Sequence, residues 1–200
     1  MQSVIILWFC LITAAVCLPQ NPMGYMPRAP APGPCPKVPV VNNFNAHAYL
    51  GRWYEIERFF NPFQNGDCVT ADYELFNNGS ISVANSDLEE GKLNTIFGVA
   101  TLLPNSSEGK LIVEFPGNSF APRGVPNYNV VATDYKNYAV VYSCAAFNGN
   151  KLEFSWILAR RPMIPSGFLR DLKEWLQKVN VDAARYEPTV QDPSCPRRQI

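Results

Sequence analysis

Between Gly51 and Arg160 the chain is a succession of eight short runs rich in Val, Ile, Thr, Tyr and Phe. They are Trp53 to Phe59, Val69 to Phe76, Ser80 to Ala84, Lys92 to Leu102, Lys110 to Phe115, Tyr128 to Thr133, Tyr138 to Ser143 and Leu152 to Leu158. β-branched and aromatic side chains fit a pleated, half-buried surface, so each run reads as a strand. Asn61-Pro62, Asn77-Asn78-Gly79, Pro104-Asn105 and Asn148-Gly149-Asn150 supply turn chemistry between them. Regular short antiparallel strands make a sandwich or an up-and-down barrel, and the pattern alone does not choose between the two.

One stretch has another period. Phe168, Leu169, Leu172, Trp175, Leu176 and Val179 recur at helical spacing, with Ser166 placed as N-cap and Asn180 as stop. This predicts a helix of about three to four turns with one apolar stripe. Tyr186 to Val190 reads as a last short strand.

The N-terminus reads as a targeting segment. Val4 to Val16 is apolar and uncharged, and Ala15 and Cys17 are small residues at signal-peptidase spacing, so residues 1–17 are expected to be a signal peptide. The run is too short for a comfortable membrane span. Residues 18–39 carry Pro19, Pro22, Pro27, Pro30, Pro32, Pro34, Pro36 and Pro39, which fix φ and lack donors. They are expected to form a mobile, extended arm, with a partner-recognition peptide as the alternative.

Without the leader, Cys35, Cys68, Cys144 and Cys195 remain. An even number in a secreted chain implies two disulfides, in any of three pairings. None has CxxC spacing, and His47 is the single histidine, so neither a redox pair nor a zinc centre finds support. A Ser–His–Asp or Cys–His site needs a positioned base, and His47 has no evident partner. No catalytic residue is assigned and no cofactor is required. Seventeen basic and seventeen acidic residues balance, which argues against nucleic acid as a partner. Asn78-Gly79-Ser80 and Asn105-Ser106-Ser107 fit the N-glycosylation pattern and lie in turn-like stretches.

Three segments carry a resemblance: Gly51-Arg52-Trp53-Tyr54, Thr133-Asp134-Tyr135-Lys136-Asn137-Tyr138 and Ile157-Leu158-Ala159-Arg160-Arg161-Pro162. Their order and spacing resemble the signature motifs of the lipocalins. The flanking Asn43-Phe44, Tyr49-Leu50 and Ala139-Val140-Val141-Tyr142-Ser143-Cys144 resemble the apolipoprotein D branch and its insect relatives. The resemblance runs from about Cys35 to about Pro196. It implies a mainly β fold: an eight-stranded up-and-down antiparallel barrel over 40–192, one C-terminal α-helix packed outside, and a tail, 193–200, tied by a disulfide. It implies the pairings Cys35–Cys144 and Cys68–Cys195.

The resemblance also assigns roles. Trp53 closes the barrel floor under Arg160, with Gly51, Thr133, Asp134, Tyr135 and Tyr138 completing that end. The adjacent Arg161 makes a one-residue shift the alternative. If Arg160 faces inward, alternation turns Leu158, Trp156 and Phe154 inward too. Tyr73 matches another inward aromatic of this branch. These four are the expected ligand contacts, although the same aromatics would equally fill a packed core. Glu55 and Glu57 share phase with Trp53, so they either anchor a polar ligand group or are turned outward by a bulge. Phe59, Phe60, Phe63 and Phe120 are expected around the open mouth.

The function implied is a secreted carrier for a small hydrophobic molecule: a fatty acid-like lipid, a steroid, a retinoid or a bilin. Lipid handling under oxidative stress would follow from sequestration. The alternatives are a lipid-isomerising enzyme, which would need a free cavity cysteine, and a module engaging a cell-surface receptor or lipoprotein particle.

Overall fold

Alternating side chains give each strand one apolar face, and a sheet hides such faces by closing on itself. The computed structural model describes residues 30–117 and 124–196. In chain order its elements are β1 (Ala31–Pro32), α1 (Ala46–Tyr49), β2 (Gly51–Phe59), β3 (Asp67–Leu75), β4 (Ile81–Glu89), β5 (Lys92–Leu102), β6 (Lys110–Glu114), β7 (Tyr128–Thr133), β8 (Tyr138–Phe147), β9 (Asn150–Ala159), α2 (Ser166–Lys178), a 3-10 turn (Ala183–Arg185) and β10 (Tyr186–Pro188). From β2 to β9 each strand pairs antiparallel with the next, and β9 returns to β2, with Tyr54 opposite Ala159 and Arg58 opposite Trp156. The result is a closed eight-stranded barrel with no open sheet edge between its first and last strands. β10 continues the sheet on the free side of β2, with Tyr186 opposite Phe59, and β1 does so beside β9.

Two apolar cores lie on the two faces of this wall. Trp53, Tyr73, Val83, Ala100, Val141 and Leu158 fill the lower barrel. Phe59, Val140, Ile157, Leu172, Leu176 and Val181 form the other, between the wall and α2. Leu172 and Leu176 are the helix residues buried there, each worth about 1.5–3 kcal/mol of apolar burial. Phe168 stays half exposed while its ring meets Tyr138 at 5.0 Å.

The helix begins at Ser166 itself, so Ser166 is not the cap. Pro165 holds that position, with no side-chain bond to the first turn. At the other end Asn180 adopts φ +67, which ends the helix as expected. Strands β4 and β8 run further toward the mouth than the sequence pattern suggested, because polar ends such as Ser86-Asp87 still pair with β5.

The disulfides join Cys35 to Cys144 and Cys68 to Cys195, across 109 and 127 residues. Loops this long correspond to about 4–5 kcal/mol each in the chain-entropy model. The described part of the Pro-rich segment, 30–39, departs from the expectation of a mobile arm. Ala31 and Pro32 pair with β9, Gly33 N donates to Gly149 O at 2.9 Å, and Cys35 is covalently tied. Proline is tolerated there because β1 lies at a sheet edge. Residues 1–29, which hold the expected signal peptide and most of the expected arm, lie outside the described residues, as does Phe120.

Candidate ligand-binding cavity

The barrel floor is assembled by Arg160. Its guanidinium carbon lies 3.6 Å from the centroid of Trp53, which is fully buried. Nε donates to Tyr135 O (3.0 Å), Nη1 to Arg52 O (2.8 Å), and Nη2 to Ala48 O (3.1 Å) and Tyr49 O (3.3 Å). One planar cation thus ties three chain segments and covers an indole face, a task suited to the fixed fork of arginine. Gly51 adopts φ +88, a conformation that other residues rarely take, and so lets the chain turn into β2 beside Arg160. Arg161 is exposed and takes no part in the floor.

The motif on the neighbouring turn serves the same end. Thr133 Oγ1 donates to Tyr138 O and accepts from Tyr135 N. Burial would raise the Asp134 carboxyl, but bonds from the Asn137 side chain and from the amides of Asn137, Tyr138 and Lys136 outweigh it and hold the group below its usual range. That turn presents Tyr135, whose ring packs 6.0 Å from Phe44.

Above the floor is a cavity of about 410 Å³. Phe154, Trp156 and Leu158 of β9 and Tyr73 of β3 all line it, so the phase set by Arg160 places the expected aromatic strip on its wall. Ile96, Val113 and Phe115 are further apolar lining. Phe63, from the β2–β3 loop, reaches over the mouth and meets Phe154 at 5.1 Å. Phe59 does not belong to the mouth: it faces α2, under the Arg185 guanidinium at 4.2 Å.

A bulge in β2 decides this. Glu55 pairs with Leu158 and Glu57 with Ile157, so Ile56 is the extra residue. The alternation inverts there, and the two carboxylates part. Glu57 turns out and binds Lys173 of α2 at 2.7 Å. Glu55 stays on the cavity wall, 2% exposed. A buried carboxylate must be satisfied, and it is: Arg58 Nη1 donates at 2.6 Å, and Thr189 Oγ1 and Gln64 Nε2 donate as well. Gln64 Oε1 in turn accepts from Trp156 Nε1 (3.1 Å) and Asn61 Nδ2 (3.2 Å). This network latches the β2–β3 loop across the mouth to the aromatic wall.

The deep end holds a second cluster that the sequence pattern does not reveal. The hydroxyls of Tyr49 and Tyr128 are 2.8 Å apart, and those of Tyr73 and Tyr128 are 3.0 Å apart. Burial pushes the Tyr73 phenol up to about 12 and raises Tyr49 and Tyr128 well above the usual value, so all three stay protonated. The one usable signal was Tyr49, which follows the helical Asn45 cap and precedes the first motif. Tyr128 sits at a strand start with no local cue. His47 is exposed on α1, and among the described residues no group of three or more His, Cys, Asp or Glu could hold a metal. Asn78 and Asn105 are exposed in turns at the floor end.

With this geometry in place, comparison with known proteins is direct. The family model described as a lipocalin-like domain matches residues 44–191. Apolipoprotein D of Mus musculus is 41% identical over 167 residues, covering 82% of this chain and 85% of that protein. The Lazarillo protein of Schistocerca americana is 32% identical over 188 residues, covering 90% of this chain and 81% of its own length. Lobster apocrustacyanin A1 superposes with a TM-score of 0.71 at 29% identity, covering 86% of this chain and 96% of that one. A sealed floor, a closed eight-stranded barrel and these matches all agree that this chain belongs to the lipocalin family.

Proposed function

We infer that this chain is a carrier that takes a small hydrophobic molecule into the barrel. One observation carries the reading: a cavity of about 410 Å³, sealed below by Trp53 and Arg160 and walled by Tyr73, Phe154, Trp156 and Leu158. That volume is within the range of small-molecule sites, and each 100 Å² of apolar surface removed from water is worth about 2.5 kcal/mol before binding costs. A fatty acid-like lipid, steroid, retinoid or bilin has the right size and polarity. The ligand is cargo, and no cofactor takes part.

Secretion, with removal of residues 1–17, is supported by the leader's composition and by two disulfides, which persist in oxidising compartments. The exposed Asn78 and Asn105 are the proposed glycosylation sites. A catalytic role is disfavoured because the four cysteines outside the leader are all disulfide-bonded, leaving no thiol to attack a lipid peroxide. Loss of Trp156 emission on titration with apolar ligands, absent in Trp156→Phe, is the expected result. No response to any such ligand would sink the reading.

A second reading has its own observation. The outer face of β5 exposes Leu93, Phe97 and Val99 at 54, 65 and 40%. A lipoprotein particle or receptor would find apolar contact there. Phe97→Ser should abolish co-flotation with lipoprotein while leaving ligand quenching intact; unchanged co-flotation would refute it.

A further inference from the structure

The carrier reading leaves open which head group the cavity accepts, and three features of its lining address that. The first is a proton count. Tyr49, Tyr73 and Tyr128 bring three O–H donors to two hydrogen bonds. One proton is therefore left without an acceptor among the described residues. Tyr73, buried, and Tyr128, partly buried, both line the cavity, so the surplus proton is within reach of a molecule held there. The second is Asn85, on the cavity wall from β4, whose Oδ1 is buried with no hydrogen-bond partner. A buried polar atom left unmade is unfavourable until a ligand or water meets it.

The third feature is charge. Glu55, Asp87 and Glu89 line the cavity, and no Lys, Arg or His does so among the described residues. Glu55 is neutralised by Arg58. Asp87 and Glu89, toward the mouth, form no ion pair among the described residues, although Lys92 lies across the hairpin from Glu89. Asp87 is also roofed closely by the β2–β3 loop: a Cβ on Gly66 would fall 2.6 Å from its Oδ2. An anion entering this barrel passes two like charges and meets no basic side chain among the described lining residues.

We propose that the cavity selects an uncharged apolar molecule carrying a hydroxyl or carbonyl oxygen and discriminates against the carboxylate of the same skeleton. The oxygen accepts the surplus phenol proton at the deep end, or donates to Asn85 when it is a hydroxyl. This rests on the carrier reading and narrows its ligand class to alcohols, ketones and aldehydes over free acids.

The test uses three probes of one skeleton on the full secreted protein at pH 7.5: retinol, anhydroretinol, which lacks the oxygen, and retinoic acid. Trp156 quenching should rank retinol at least tenfold tighter than retinoic acid and several-fold tighter than anhydroretinol. Tyr73→Phe with Tyr128→Phe should erase the retinol–anhydroretinol gap. Asp87→Asn with Glu89→Gln should narrow the retinol–retinoate gap at least threefold, as should raised salt. If a variant fails to fold, the wild-type ranking decides alone. Retinoic acid binding as tightly as retinol, or anhydroretinol matching it, overturns the proposal while leaving the carrier reading intact. Quenching by none of the three overturns the carrier reading itself.

Discussion

Replacing Arg160 with alanine separates the container from its contents. The variant loses a cation over the Trp53 face at 3.6 Å and hydrogen bonds to the carbonyls of Tyr135, Arg52, Ala48 and Tyr49. The bond to Ala48 is exposed and water replaces it, so it contributes nothing here. The three part-buried bonds are charge-assisted, but Arg160 is itself half-buried and the freed carbonyls are partly rehydrated. That leaves about 1 kcal/mol each. The cation–π contact adds about 1 kcal/mol. The sum is about 4 kcal/mol, or roughly 8–16 °C in Tm for a domain of this size. Denaturant unfolding with the disulfides intact measures it, and Arg160→Lys should recover only the charge. Ligand ranking should be unchanged, because Arg160 does not line the cavity. A loss below about 1 kcal/mol, or a reordered ligand ranking with full stability, would refute the floor assignment.

The converse variant, Trp156→Ala, should weaken apolar ligand binding about tenfold while shifting the unfolding midpoint less than Arg160→Ala does; unchanged affinity across a ligand panel would contradict its place on the cavity wall. Glu55→Ala strands Arg58 and Gln64 at the mouth and should destabilise by about 2–4 kcal/mol in equilibrium unfolding; Glu55→Gln should recover part of this by keeping hydrogen bonds. Burial alone would raise the Glu153 carboxyl, but Tyr142, Lys151 and Arg185 outweigh it and hold it below its ordinary 4.5. A depressed carboxylate stabilises fully above its unfolded pKa and loses that contribution as pH falls through the folded value. The stability gap between wild type and Glu153→Gln should therefore be flat above pH 5.5 and shrink below 4.5; a gap that widens on acidification would reverse the assignment.

Local chemistry carried much of this architecture. Turn residues and β-branched runs located the strands, and the Arg160 phase placed Phe154, Trp156 and Leu158 on one inner wall, because side-chain alternation is a property of the strand alone. The Ile56 bulge was not legible in the same way. It arises where β2 must register against β9, about a hundred residues away, and it sends Glu55 inward but Glu57 and Phe59 outward. The phenol cluster escaped for a related reason: Tyr49, Tyr73 and Tyr128 stand on three elements and meet only when the barrel closes. The anchoring of residues 30–39 was hidden by their prolines, which disfavour central strands but not a two-residue edge pairing.

The most direct test of the carrier account is native mass spectrometry of the full protein expressed in eukaryotic cells, before and after organic extraction. The account predicts a removable mass of a few hundred daltons that returns, one per chain, when the extracted fraction is added back, and that Trp156→Ala retains poorly. A protein that carries no extractable mass, and takes up none from any apolar extract, would contradict it.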